Sequence, residues 1–353
     1  MKNLTRFLSM MWVAVVAFSV SCFERAHTAL FGYMHRQGMI LCVAAPFPVT
    51  PQLQAIALAY RNNTLIADAV LPRVPVGLQS FKYMSYPKGQ FMTITETRVG
   101  RKSKPNEVEF TGTEVSDSTN DEALDDGVPV SDINLAAAQG LPDPIGQAVE
   151  GITDLLLLKR EVRTAALVFG AGSYAATNKN TALTGTTLWS AFTTSDPIND
   201  IITGLDTCLM RPNVAVMGNQ VSSILRRHPS ILKAYNGNAG DTGIVPLQFI
   251  ADLFDLEEVL VGQGWVNTAK KGQAVNLSRV WGKSFALIYR NKLANTQRGA
   301  TFGLTAQFGQ RIAGSEYDKN IGMRGGQTVR VGESVKELLM ANDLGYLITD
   351  AIA

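Results

Sequence analysis

The sequence predicts a mixed α+β protein with a protruding hairpin, one long helix and a compact α/β module. Three observations carry that prediction. Strand-like alternation brackets a polar segment over residues 81–115, one amphipathic pattern runs from Pro144 to Gly172, and helical and strand-like stretches alternate from residue 196 onward. The 353-residue chain is 46% hydrophobic and 18% charged, which suits a folded core. Its net charge of +2 gives no global pull toward nucleic acid or an anionic membrane, so any electrostatic argument is local.

The N-terminus carries Lys2 and Arg6 ahead of an uncharged run from Phe7 to Phe23, near whose end stand the small residues of SVSC, residues 19–22. That is the layout of a secretory signal, and the run is shorter than the roughly 20 residues of a membrane span. Three readings of residues 1–45 stay open: an export signal, a lipoprotein signal acylated at Cys22, or an extension ahead of an internal start at Met34 or Met39. The cysteines Cys22, Cys42 and Cys208 are odd in number and lack the spacing of a zinc or redox motif, so Cys208 reads as a small buried residue.

Residues 46–80 read as an arm. Thr50 and Pro51 suit the start of a helix whose apolar positions are Leu53, Ile56, Ala57 and Tyr60. Pro72 and Pro75 then forbid a continuous helix and favour an extended path.

Over 81–126 the chain reads as an extended hairpin. FKYMSY and FMTITET are rich in aromatic and β-branched residues, PKG supplies a turn, and VEFTGTEV continues the alternation. Between them the charges separate by sign. Arg98, Arg101, Lys102 and Lys104 come first; Glu107, Glu109, Glu114, Asp117, Asp121, Glu122, Asp125 and Asp126 follow with no base among them. A basic tip and an acidic return strand suit head-to-tail pairing between copies, with Arg98, Arg101, Lys102, Lys104, Glu107, Glu109, Glu114 and Asp117 as the contact residues. A merely soluble, solvated loop is the plainer alternative.

Residues 144–172 give the strongest helical pattern. Val149, Ile152, Leu155, Leu158, Val162, Ala165 and Phe169 form a stripe, while Glu150, Asp154, Lys159, Arg160 and Arg163 sit largely off it. Pro144 suits the start, and Gly170 with Gly172 the end. From residue 196 the order is a helix capped by Asp196, the strand NVAVMG, a helix broken near Pro229, the helix VPLQFIADLFDL and the strand EEVLVGQGWVN. Residues 278–353 are mostly strands.

Short catalytic motifs have plainer readings. Asp241-Thr242-Gly243 lies in a glycine-rich loop without a preceding strand or second copy, and GAGSYA closes a helix where a dinucleotide loop would open one. His228 lacks metal-ligating neighbours and a nucleophile, so RRHPS reads as a solvated helix end. Arg226 with Arg227, and Lys270 with Lys271, are weak candidates for phosphate contact. No catalytic, cofactor or metal site is expected.

The segments IALAYRNNTLIADAVLPRVPV, FKYMSY, VGRKSKPNEVEF, LDTCLMRPNVAVMG, RVWGKSFALIYR, TFGLTAQFG and VRVGESVKE, in that order, resemble the major capsid proteins of tailed bacteriophages, the HK97-type fold. The resemblance spans about residue 52 to the end. It implies an N-terminal arm (46–80), an extended loop (81–126) reaching over a neighbour, a peripheral domain (127–195 and 326–353) built on the spine helix 144–172, and an axial domain (196–325). It further implies a non-enzyme that self-assembles, as hexamers and pentamers, into an icosahedral shell around double-stranded DNA bound without sequence specificity. The expected partners are a separate scaffolding protein, a portal and a decoration protein, with assembly in the host cytoplasm and no membrane involvement. An encapsulin-like compartment, and a secreted enzyme or adhesin, are the alternative readings.

Overall fold

The computed structural model describes residues 47–85, 94–108, 113–237, 240, 242–270 and 272–353. The leader expected over 1–45 lies outside them. Residues Pro48–Ala353 form one compact unit built on two four-stranded sheets and a long helix.

The arm opens with helix α1 (Pro51–Ala59), which starts at Thr50–Pro51 as the sequence predicts. The extended path expected after it is interrupted by a one-turn helix, α2 (Ala67–Val70). Its first amides at Ile66 and Ala67 are accepted by the Glu161 carboxylate at 2.9 and 2.7 Å, which is why so short a helix persists. Strand β1 (Arg73–Val76) then lies parallel to β10 (Gly303–Asp318), and Pro75 is tolerated because β1 is an edge.

The first sheet has the order β1–β10–β11–β4, with β11 (Gly326–Leu339) antiparallel to β10 and β4 (Asn120–Pro129) antiparallel to β11. Helix α3 (Val130–Gln139) follows β4, and helix α4 (Pro144–Val168) packs on the sheet. Val128, Val329 and Val331 meet Val149, Ile152 and Leu156 there in a dry cluster.

Helix α4 is the predicted spine. Asp143 caps it by accepting from the Ile145 and Gly146 amides, and its 25 residues run about 38 Å at the usual rise. Its buried face is rotated from the predicted stripe. Leu155 and Val162 are exposed, whereas Leu156, Arg160, Glu161 and Thr164 are buried. Apolar spacing located the helix, but Arg160 and Glu161 can face inward because tertiary partners pair with the one and hydrogen-bond the other.

The second sheet has the order β12–β9–β5–β6: Gly345–Ile348, Phe285–Ile288, Val214–Gly218 and Glu258–Gly262. Helices α5 (Pro197–Thr207), α6 (Asn219–Leu225), α7 (Pro229–Asn236) and α8 (Leu247–Leu253) belong to this module. The break at Pro229 and the Asp196 cap fall where the sequence predicts. A small antiparallel pair, β7 (Trp265–Asn267) and β8 (Leu277–Arg279), completes it.

The sheets correct the expected boundary at 325/326, which cuts the β10–β11 hairpin. Residues 303–318 belong to the sheet under the spine helix, and 345–348 to the α/β sheet. Backbone pairing fixes both memberships, and no local pattern in the sequence reports it.

Candidate assembly interface

The hairpin has a paired foot and an irregular tip. Strands β2 (Ser80–Ser85) and β3 (Thr113–Ser118) are antiparallel, from Ser80 opposite Ser118 to Ser85 opposite Thr113. Phe81 anchors the foot, buried with Leu304, Ala306 and Leu338 of the first sheet. Beyond the foot, the strand expected in FMTITET is not formed in its described part, since Ile94–Thr97 carry no ladder and Ile94 is 98% exposed. The segment has strand-prone residues and no neighbouring strand to pair with.

The described tip, residues 94–108, is exposed throughout. The Asn106 side chain donates to the Glu96 carbonyl at 2.8 Å, and the Ser103 amide closes a turn on the Gly100 carbonyl at 3.0 Å. Arg101 and Lys102 occupy that turn.

The contact residues expected from sequence divide into two kinds. Lys104 pairs with Glu107 at 3.0 Å, Lys82 with Glu114 at 2.6 Å, and Lys336 with Asp117 at 3.7 Å. Glu109 lies outside the described residues. The side chains of Arg98, Arg101 and Lys102 have no partner among the described residues. Arg98, Arg101 and Lys102 are therefore available, while Lys104 and the acids Glu107, Glu114 and Asp117 are engaged within the chain.

The acidic stretch does not stay in the hairpin to Asp126, as the sequence reading expected. From Asn120 the chain leaves β3 and enters the first sheet as β4. There Glu122 receives Lys159 at 2.5 Å and Arg163 at 3.0 Å, and Asp125 takes Arg330 through two contacts of 2.6 Å. The tertiary ladder to β11 draws these residues in, which no charge count could reveal.

Behind the hairpin, a buried ionic network ties the arm to the spine and the sheet. Arg160, 1% exposed, reaches Asp68, the Leu71 carbonyl at 3.2 Å and the Thr305 hydroxyl at 3.0 Å. Glu333 Oε2 accepts from Arg73 at 2.8 Å and from Arg311 at 2.9 Å. Burial alone would push the Glu333 carboxyl up, but Arg73 and Arg311 outweigh it and hold it below the usual carboxylate range. Burial pushes Glu161 the other way, above its usual value, against the pull of the Ile66 and Ala67 amides and the Trp281 indole. Sequence reading missed these residues; Arg160 and Glu161 inside an apolar helix period were the available signal.

The chemically suggestive residues outside the hairpin are structural. His228 corrects the expected solvated helix end: it is fully buried, packs edge-on against Phe192 and caps α7. Its Nδ1 accepts from the Ser230 amide at 3.2 Å, so the proton sits on Nε2, 3.0 Å from the Ser195 hydroxyl. That hydroxyl donates to the Ala191 carbonyl at 2.8 Å, which leaves the imidazole no serine proton to take. Burial pushes the Cys208 thiol up to about 11, the condition of an inert thiol. Asp241 lies outside the described residues. No group of His, Cys, Asp or Glu that could hold a metal occurs among the described residues, and no described helix is long and apolar enough to cross a membrane.

No family model matches the chain. It is 53% identical over 309 residues to the major capsid protein of Pseudomonas phage JBD67, covering 88% of this chain and 99% of that relative. It is 26% identical over 312 residues to the major capsid protein of Burkholderia phage BcepMu, covering 85% and 96%. Among solved structures, a phage-related protein from Bordetella bronchiseptica RB50 matches with a TM-score of 0.69 at 23% identity, over 87% of this chain and 99% of that one. The capsid of cyanophage P-SCSP1u matches with a TM-score of 0.53 at 9% identity, over 90% and 94%. At these identities the two structures speak for the fold.

Proposed function

The chain belongs to the phage major capsid proteins of the HK97-type fold, and from that premise we propose that the basic hairpin tip ties neighbouring subunits together. Its function is to build the phage head shell by self-assembly. One observation carries that function, the 53% identity along 99% of the JBD67 major capsid protein, and it favours a phage head over an encapsulin-like compartment or a secreted enzyme or adhesin.

We infer that the shell is icosahedral, made of hexamers and pentamers, and that it assembles in the host cytoplasm with a separate scaffolding protein, a portal and a decoration protein. It encloses double-stranded DNA without reading its sequence. A net charge of +2 supports this, as does the Arg226 side chain, whose Nε is spent on the Val245 carbonyl at 2.7 Å. The subunit works as a structural protein, catalysing no reaction. Spine helix and first sheet serve as the peripheral domain, and the α/β sheet as the axial one.

In the tie, Arg98, Arg101 and Lys102 reach an acidic surface on the next copy, a heterologous contact that closes by rotation. Each exposed pair is worth about 0–1 kcal/mol, so individual placements stay reversible while repetition around a ring holds the assembly. Negative-stain microscopy of the purified protein tests the function, with closed shells or capsomer rings expected. A protein that stays monomeric under assembly conditions overturns it, and shells filled with protein cargo instead of DNA restore the compartment reading.

A further inference from the structure

Among the described residues, the hairpin tip lacks a strand partner, and so does one edge of the first sheet. Strand β4 pairs with β11 on one side only, and its outer edge, ten residues long, has no strand beside it among the described residues. A bare edge of that length presents a row of backbone donors and acceptors roughly 30 Å long. The segment Ile94–Val99 has the complementary defect. It is β-branched at Ile94, Thr95, Thr97 and Val99, is exposed, and makes no ladder among the described residues of its own subunit.

We propose that residues 94–99 of one subunit add as a fifth strand to the free edge of β4 in its neighbour. This rests on the hairpin being the tie between subunits and names the surface that receives it. Charge selects the occupant. Of the β4 acids, Asp126 has no side-chain partner among the described residues, and Asp121 touches only the Gln79 amide, at 3.3 Å. The arriving segment carries Arg98 and also Glu96, whose carboxylate accepts the Arg98 amide at 2.9 Å. It leads directly into Arg101 and Lys102, so that residues 94–102 hold three cations against one acid. Apolar surface matches as well on the helix side of the sheet: Leu124 on β4 is 40% exposed and Leu155 on the adjoining helix 56%, against Ile94 at 98%. Strand addition draws its affinity from main-chain hydrogen bonds and its selectivity from the flanking side chains. The acids of β4 thereby do two things: like charges keep the edges of two β4 strands apart, and they admit a strand that is itself neutral, with Glu96 against Arg98, and is followed by the cations Arg101 and Lys102.

Proline and cysteine variants of the full chain test this. Thr95→Pro with Thr97→Pro removes two backbone donors that bond nothing within the subunit, so subunit stability is expected to stay unchanged while shell yield falls at least tenfold by microscopy. Thr95→Cys or Thr97→Cys combined with Ala123→Cys is expected to give an oxidation-dependent ladder of linked subunits on gels, absent from each single variant. Normal shells from the proline variant together with no ladder from either cysteine pair overturn strand addition. If charge reversal at Arg101 and Lys102 still blocks assembly in that case, the hairpin tie stands and only its acceptor is wrong.

Discussion

Glu333 on β11 holds Arg311 of β10 at 2.9 Å, with the two side chains only 2% and 8% exposed. The same carboxylate oxygen accepts from Arg73 of the arm. One buried anion thus joins the arm to two strands of the sheet, and breaking it leaves cations stranded away from water. Replacing Glu333 with Ala is expected to cost about 3–5 kcal/mol in urea denaturation of the subunit. A loss below about 1 kcal/mol would mean that water enters and solvates the arginines.

Acid should loosen the same joint. Asp68 and Glu333 are both held below the usual carboxylate range by neighbouring arginines that outweigh the opposing effect of burial. Depressed carboxyls contribute stability that is present above their unfolded value of about 4 and is lost as pH falls through the folded value. Glu161 has the opposite sign: its raised carboxyl costs stability above the unfolded value, and acid relieves it. The paired carboxylates outnumber it, so the subunit's melting temperature is expected to fall steeply below about pH 4. In Glu333→Gln the part of that slope due to Glu333 should vanish.

At the foot of the hairpin, Phe81 is 8% exposed in a small cluster of its own with Leu304, Ala306 and Leu338. Phe81→Ala is expected to cost about 3 kcal/mol locally and to raise hydrogen exchange at β2 and β3. The α/β sheet should keep its protection. Exchange rising equally in both sheets would show that the hairpin foot is part of the global folding unit.

The free cations of the tip are addressed by Arg101→Glu with Lys102→Glu. The double variant is expected to fold normally, since neither side chain has a partner among the described residues of its own subunit, and to assemble poorly or only at altered salt. Unimpaired shells at low and high salt would sink the charge pairing.

Gly262 has no room for a side chain, because a Cβ there would lie 1.9 Å from the Trp281 ring. Gly262→Ala is expected to destabilise the subunit by about 1–3 kcal/mol, read from its denaturation midpoint.

The sequence by itself determined the order of elements and the chemistry of the tip. The helix starts at Pro51, Pro144 and Pro197 and the strand Val214–Gly218 were legible because caps, proline positions and apolar period are local signals. The sign change from Arg98 to Asp126 was equally plain. Only the tertiary structure decided which charges remain free. Glu122 and Asp125 are drawn into the sheet by the register of β4 on β11, and Glu114 and Asp117 meet lysines distant in sequence. Arg160 and Glu161 turn inward because Asp68, Thr305, Trp281 and the amides of α2 await them. Periodicity finds an element, but pairing and burial depend on partners that the fold brings together from far along the chain. Hence Arg98, Arg101 and Lys102 could be named from sequence, while the bare edge of β4 could not.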